Sequence, residues 1–500
     1  MSPVYIAGVG MTKFGKSSQT LSELLWEAAS NALSASAVQE FDALYIGTMN
    51  PEEFTGDSNI ASLVADALGM TGLPAVRVET ASSAGAAALH AAFQAVASGY
   101  YRHVLVLGGE KMTHLSTSAT TRILAEVIDK QERQCGATMP ALAAMITEKY
   151  RKKYRLSVSR LGDILCRVAV KNHFNGSRNP YAQFQEPLSE KNYFASKLVS
   201  TPLRLYDCAP ITDGAAAVIL TSEPTDIAIT GIGHGTGPMA LRERDSFTSF
   251  RATKIAASRA YHMAGVSPGA IDFAEVHDAF TPFEIICTED LGFFPPGKGW
   301  QAVEEGKTSL QGSLPINPSG GLKSRGHPVG ASGVAQVVEN VQRLRGDSQT
   351  RFRREPKRAL SQSTGGLGSN NFVTILERCD SPPPRAENSL KMPPPAPIHT
   401  IKASQPPAEK DFNDEGVIET FTILYVTPDG FLSPLALALI RDREGRLIMA
   451  QGEDITHLKI DREVYLKKVG DRYLFTVKSQ LRKVREALNR LFMRREETAR

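Results

Sequence analysis

From Pro3 to Glu377, short β-branched runs and helical repeats take turns along the chain, and this alternation limits the fold more than any other feature. PVYIAGVG, FDALYIGTM, AVRVET and HVLVLGG read as strands, while LSELLWEAASNALSA, AGAAALHAAFQAVASG and MPALAAMITEKYRKKY carry apolar residues at helical spacing. A second set follows: strands in GAAAVILTS and TDIAITGIGHGT, a helix over Phe250 to Ala264, and strands in IDFAEVHDAF and NFVTILE. Such alternation predicts a layered α/β body, here in two comparable halves, 1–222 and 223–378.

Proline then interrupts the pattern. Nine of the 29 prolines fall between Pro382 and Pro407, in clusters that hold neither a helix nor a central strand. Residues 379–411 therefore read as a linker, and 412–500 as a separate tail. Within the tail, VIETFTILYVT, LALALIRD, LIMAQG, YLKKV and RYLFTVKS are short strands parted by polar turns, which predicts a small barrel. Leu481 to Leu491 reads as a closing helix.

Composition removes several classes of function. A net charge of +4 over 500 residues implies no polyanion partner. The basic stretch Lys478 to Arg500 reads as a solvated helix face, and the tail aromatics Phe421, Tyr425 and Phe431 as barrel core, so no nucleic acid is expected. The five cysteines are scattered with no paired spacing, which predicts a reducing, cytoplasmic setting and no cysteine zinc site. No run approaches the ~20 apolar residues of a membrane span, and the first residues lack the form of a signal peptide.

Reactive side chains concentrate in three places. In RVETASSAGAAALHAAF a strand breaks at small residues and enters a helix, an elbow that can present a nucleophile at a helix N-terminus; Ser82 and Ser83 both stand there. EVHDAF delivers His277 and Asp278 at the end of a strand, the edge where open α/β sheets place ligands. NPSGGLKSRGHPVGASG is a long loop that holds His327 between Gly326 and Pro328.

Together and in this order, these blocks resemble the thiolase superfamily, and within it the sterol-carrier-protein-type thiolases. Residues 1 to about 378 carry the resemblance, through IAGVGMTKFGK, the elbow, GGEKMT, VKNHFNGSRNPYAQF, PLRLYDCAPITDGAAAVIL, EVHDAFT and the His327 loop. It implies two βαβαβαββ halves in a five-layered α/β/α/β/α body, usually a homodimer. The tail resembles the OB-fold part of a small acyl-CoA-associated domain encoded beside such thiolases, without the four-cysteine zinc ribbon that commonly precedes it.

The resemblance also assigns roles. The family's nucleophilic cysteine falls at Ser82, and its cysteine base at Ala279 or Ser363, so all three positions lack a thiol. His277 and His327 match the oxyanion-hole and nucleophile-activating histidines, with Ser363, Gly365 and Asp278 around them. A thiol titrates near ~8.5 and can form a thiolate, whereas a serine hydroxyl must lose its proton to a neutral base during attack. The implied activity is a thiolase-like acyl-CoA C-acyltransferase with a coenzyme A thioester as substrate and no bound cofactor or metal. Two alternatives stand beside it. One is a CoA-thioester aldolase cleaving a β-hydroxyacyl-CoA of steroid type, for which Tyr206, Asp207 and Asp278 are acid/base candidates. The other is a non-catalytic acyl-CoA-binding or scaffold subunit beside a partner thiolase or OB-fold protein. Lys323 and Arg325 are candidates for CoA contact by location.

Overall fold

Five strands of the first half lie in one sheet in the order β3-β2-β4-β7-β1, where β1 is Tyr5–Met11, β2 Ala43–Gly47, β3 Ala75–Val78, β4 His103–Glu110 and β7 Gly214–Thr221. The short β5 (Leu198–Ser200) and β6 (Leu203–Arg204) stand outside it. The second half adds β8 (Ile227–Thr236), β9 (Phe273–Glu275), β10 (Arg358–Gly365) and β11 (Asn370–Arg378) in the order β8-β11-β10-β9. The halves join where Tyr5 of β1 pairs with Ala228 of β8, giving one nine-stranded sheet. The computed structural model describes residues 2–379, 415–428, 430–470 and 472–478; most of the proline-rich linker and the helix expected over Leu481–Leu491 lie outside the described residues.

β7 shows why the sequence settles into layers. All eight of its residues are buried, as a strand covered on both faces must be. Side chains alternate across a strand: Ala215, Ala217 and Ile219 pack with Leu21, Leu25 and Ala28 of the helix Leu21–Ser34. Ala216, Val218 and Leu220 share a second cluster with Ala88, Ala92 and Phe93 of the helix Ala84–Ala97 and Val334, Val337 and Val338 of the helix Ser332–Arg345. The two halves thus bury their central helices in a common core.

Two elements depart from the expectation. IDFAEVHDAF is strand only to Glu275, because the next backbone donors turn to side chains: Val276 N donates to Asn317 Oδ1 (2.8 Å) and His277 N to Gln362 Oε1 (2.9 Å). And the polar run Ser361-Gln362-Ser363-Thr364, which has no strand-like apolar alternation, lies within β10.

The tail forms a closed five-stranded barrel from β12 (Glu415–Leu424), β13 (Leu435–Asp442), β14 (Leu447–Gly452), β15 (Glu463–Val469) and β16 (Arg472–Val477). Its strands follow the order β13-β14-β16-β15-β12, with β12 returning to β13. Ile418, Ile440, Val464 and Phe475 fill its interior. The barrel is fastened to the body: Leu424 of β12 pairs with Ser200 of β5, Thr420 Oγ1 donates to Met145 O (2.8 Å), and Cys135 Sγ donates to Met449 O (3.2 Å). Leu424, Leu435, Leu437 and Leu439 join the body cluster that holds Leu142 and Ile146 of the helix Met139–Lys153. Each fully buried leucine there contributes roughly 1.5–3 kcal/mol.

Candidate active site

The elbow sorts the two serines. β3 ends at Val78, Ala81 takes a left-handed φ of 58°, and the helix Ala84–Ala97 begins after Ser83. Ser83 is fully buried and its hydroxyl is spent locally, donating to Thr80 O (2.7 Å) beside Thr80 Oγ1 (2.8 Å). Ser82 is half-buried, and among the described residues no hydrogen bond engages its hydroxyl. Of the pair, Ser82 is the one left with reactive capacity.

Glycine lets two other segments close on this elbow. A Cβ on Gly85 would lie 2.4 Å from Gly330 O, so the start of the helix Ala84–Ala97 touches the loop that follows His327. A Cβ on Gly365 would lie 2.1 Å from Thr80 O and 2.4 Å from Ser83 Oγ, so the end of β10 presses on the elbow itself. Ser363 is buried two residues earlier, its hydroxyl without a partner among the described residues.

His277 and His327 meet, with ring centroids 5.0 Å apart and planes at 87°. Each backbone is pinned: His277 N donates to Gln362 Oε1, and His327 N to Thr212 Oγ1 (3.0 Å). The tautomer of His327 follows from its partner. Ser332 Oγ gives its one hydrogen to Pro328 O (2.9 Å), so at 2.7 Å it accepts from His327 Nδ1–H, and Nε2 carries the lone pair. His277 Nδ1 is buried without a partner among the described residues. Burial, and secondarily the Arg325 guanidinium, holds His327 down at about 3. Burial also pushes His277 well below its ordinary value, with His327 and Arg325 adding to it. Both rings are therefore neutral near pH 7, each with a lone pair and neither with a charge to pair with a thiolate.

The remaining candidates play supporting parts. Asp278 accepts from Asn172 Nδ2 (2.7 Å) and Leu322 N (2.7 Å), anchoring the short helix Gly321–Arg325 ahead of His327. Burial, then the neighbouring Glu284, raises its carboxyl to about 7. Asp207 is occupied by Tyr193 OH (2.9 Å) and Arg204 N (2.8 Å), and the Tyr206 ring sits edge-on to His173. Lys323 and Arg325, expected from their location to contact CoA, are 1% and 0% exposed. The helix that carries them is buried along its whole length, so they lie inside the body and not at a surface that receives phosphates. Sequence reasoning missed Gln362, Thr212 and Ser332. The one signal for Gln362 was a polar run placed where a buried strand belongs.

The family description "Thiolase, N-terminal domain" matches residues 4–224, and "Thiolase C-terminal domain-like" matches 233–378. An acetyl-CoA acetyltransferase of Methanothermobacter thermautotrophicus is 39% identical over 390 residues, covering 76% of this chain and all of that protein. Among solved structures, a monomeric SCP2-thiolase like protein type 1 from Mycobacterium smegmatis superposes with a TM-score of 0.71 at 18% identity, over 95% of this chain and 99% of that one. An Ltp2-ChsH2(DUF35) aldolase gives a TM-score of 0.64 at 23% identity, over 76% and 99%. At these identities the two structures speak for the fold alone.

Proposed function

The chain belongs to the thiolase family, and from that premise we propose that it is an acyl-CoA C-acyltransferase that makes or breaks carbon–carbon bonds in CoA thioesters, with Ser82 as nucleophile. The observation that carries this reading is the Nε2 lone pair of His327, fixed by the bond from Nδ1 to Ser332. A hydroxyl nucleophile needs such a neutral base, and a thiolate does not. Ser82 Oγ attacks the thioester carbonyl as Nε2 takes its proton; the C–S bond breaks, and the departing sulfur receives that proton, leaving an acyl ester on Ser82. His277, with Ser363 and Gly365 at the same elbow, stabilises the oxyanion. Asp278 acts by holding the loop.

The test is intact-mass measurement after incubation with acetyl-CoA. The wild-type chain gains one acetyl group and Ser82→Ala gains none; an adduct that persists in Ser82→Ala overturns the assignment.

The missing thiols at Ser82, Ala279 and Ser363 favour one further reading, retro-aldol cleavage of a β-hydroxyacyl-CoA. That reaction needs a base for the hydroxyl proton and a donor for the enolate oxygen, and no acyl-enzyme. Cleavage that survives Ser82→Ala and is lost in His327→Ala selects it. On the same reading the barrel is an OB-fold that has shed its zinc ribbon, the body stacks in five layers, and the chain pairs as a homodimer.

A further inference from the structure

β9 and β10 part just before His277. They pair in parallel where Phe273, Ala274 and Glu275 stand opposite Ala359, Leu360 and Ser361. Two residues further in the same register, His277 would stand opposite Ser363. The pairing stops short of that point, although Val276, His277, Gln362 and Ser363 are all buried. A break in a ladder inside a protein leaves backbone groups that need other partners. Side-chain amides supply them here.

Gln336, on the helix Ser332–Arg345, gives Nε2 to Gln362 O (2.9 Å) and to Glu275 O (3.4 Å), one carbonyl from each strand. Gln362 crosses the gap with its own side chain, accepting from His277 N (2.9 Å) at Oε1. Its Nε2 donates to Thr364 Oγ1 (2.6 Å) and Asn371 Oδ1 (3.1 Å). Asn371 is fixed in turn: Nδ2 donates to Gly368 O (3.0 Å), and Oδ1 also accepts from Thr364 Oγ1 (2.9 Å) and from Thr253 Oγ1 (2.8 Å) on the helix Arg251–Ala264. Every donor and acceptor of the Gln362 amide is therefore assigned, and the amide has one orientation.

Side chains alternate across a strand. Gln362 and Thr364 share a face of the sheet with Asn371 and point toward Thr253. Ser363 and Gly365 lie on the opposite face, where Gly365 meets the elbow at Thr80 and Ser83. Gln362 thus faces away from Ser82 and reaches the site only through the His277 peptide. On the elbow side the parting leaves His277 Nδ1 and Ser363 Oγ buried with no partner among the described residues. Open polar atoms beside a fully satisfied network mark a place where a ligand supplies the missing bonds.

We propose that Gln362, braced by Gln336, is a positioning residue that holds the ends of β9 and β10 apart, at the spacing where His277 and Ser363 receive the thioester oxygen. The assignment rests on the acyl-CoA function proposed above. It accounts for the polar run in β10, because an apolar side chain at 362 would offer the His277 N–H no acceptor. Placement of groups that meet an oxyanion acts on rate more than on substrate affinity.

The test compares Gln362→Met and Gln362→Glu with the wild-type chain in exchange of the acetyl group between acetyl-CoA and isotopically labelled CoA, with melting temperatures confirming that both fold. Gln362→Met lowers kcat roughly tenfold or more at pH 5.5 and at pH 9, with KM within about twofold. The carboxyl introduced by Gln362→Glu replaces the amide when protonated, accepting from His277 N and donating to Asn371 Oδ1; when ionised it turns an oxygen against the lone pairs of Asn371. Burial raises such a carboxyl above its usual range. The ratio of wild-type to Gln362→Glu kcat, taken at each pH, should therefore be within about threefold at pH 5.5 and exceed about tenfold at pH 9. A Gln362→Met chain that keeps kcat within threefold, losses that fall on KM alone, or a Gln362→Glu ratio that does not change with pH overturns the positioning role and leaves the acyltransferase reading standing. A wild-type chain that neither exchanges the acetyl group nor gains an acetyl adduct overturns both.

Discussion

His277 and His327 lie edge to face, ring centroids 5.0 Å apart, one at the end of a strand and the other in a glycine-framed loop. Burial keeps both rings neutral, the Arg325 guanidinium adds to this on each, and the His327 ring adds to it on His277. A base held down at about 3 keeps its lone pair as pH falls through 6.5, where an ordinary histidine is half protonated. His327 should therefore contribute no acid limb to the pH profile of kcat/KM between pH 8 and about pH 5. A limb with its midpoint near 6.5 that persists in both Asp278→Asn and Glu110→Gln, whose carboxyls are raised to about 7, would show a solvated His327 in the free enzyme.

Ser332 fixes which nitrogen of His327 carries the proton. Ser332→Ala frees the ring to place its hydrogen on Nε2, the wrong atom for a base. A fall in kcat of roughly tenfold to a thousandfold is expected, with KM little changed. Ser332→Thr retains a hydroxyl and should restore most of the loss. Equal activity in Ser332→Ala and wild type would remove the tautomer from the mechanism.

The two histidines were legible in the sequence because the blocks around them are ordered like a known family, and Gly326 and Pro328 also frame His327. The elbow was legible as a place but not as an atom. Ser82 and Ser83 are equal in composition, and what separates them is the burial of Ser83 and the bond from its hydroxyl to Thr80 O. Lys323 and Arg325 misled for a related reason: a basic residue in a glycine loop reads as exposed, and burial of the helix Gly321–Arg325 depends on its packing within the fold. The barrel could be read from its strands, but its attachment through Ser200 and Met145 joins residues that nothing in the sequence connects.

Gly365 has no room for a side chain, with Thr80 O at 2.1 Å and Ser83 Oγ at 2.4 Å from where a Cβ would sit. Both atoms belong to the elbow, so Gly365→Ala moves the elbow or bends β10. A loss of about 1–3 kcal/mol in urea denaturation is expected, together with loss of acylation at Ser82. A variant that keeps wild-type stability and acylates at the wild-type rate would separate this contact from the site.

Leu437 belongs to the barrel by sequence and to the body's buried cluster by contact. Leu437→Ala should cost about 2–5 kcal/mol, and calorimetry should show body and barrel melting in one transition in the wild type. A separate barrel transition, with the body's midpoint unmoved by the substitution, would mean that the seam contributes little to stability.

Glu110 ties the end of β2 to the loop after His327, accepting from Met49 N (2.8 Å) and Gly330 N (3.1 Å). Burial raises its carboxyl from 4.5 to about 7, although both backbone bonds and the Arg77 charge favour the ionised form. Because the folded value is raised, the fold binds this proton more tightly than the unfolded chain does. The stabilisation is complete below about pH 4.5 and is lost as pH rises through 7, reaching about 3 kcal/mol by linkage. Glu110→Gln keeps an oxygen for the two backbone donors but cannot ionise. Its amide nitrogen takes the place of Oε1, which has no partner among the described residues, so it adds a penalty that does not vary with pH. The informative quantity is therefore the difference between the two proteins at two pH values. Urea denaturation at pH 5 and pH 8 should show wild type losing stability relative to Glu110→Gln as the pH rises, and a difference that stays constant would mean that Glu110 is already ionised in the fold at pH 5.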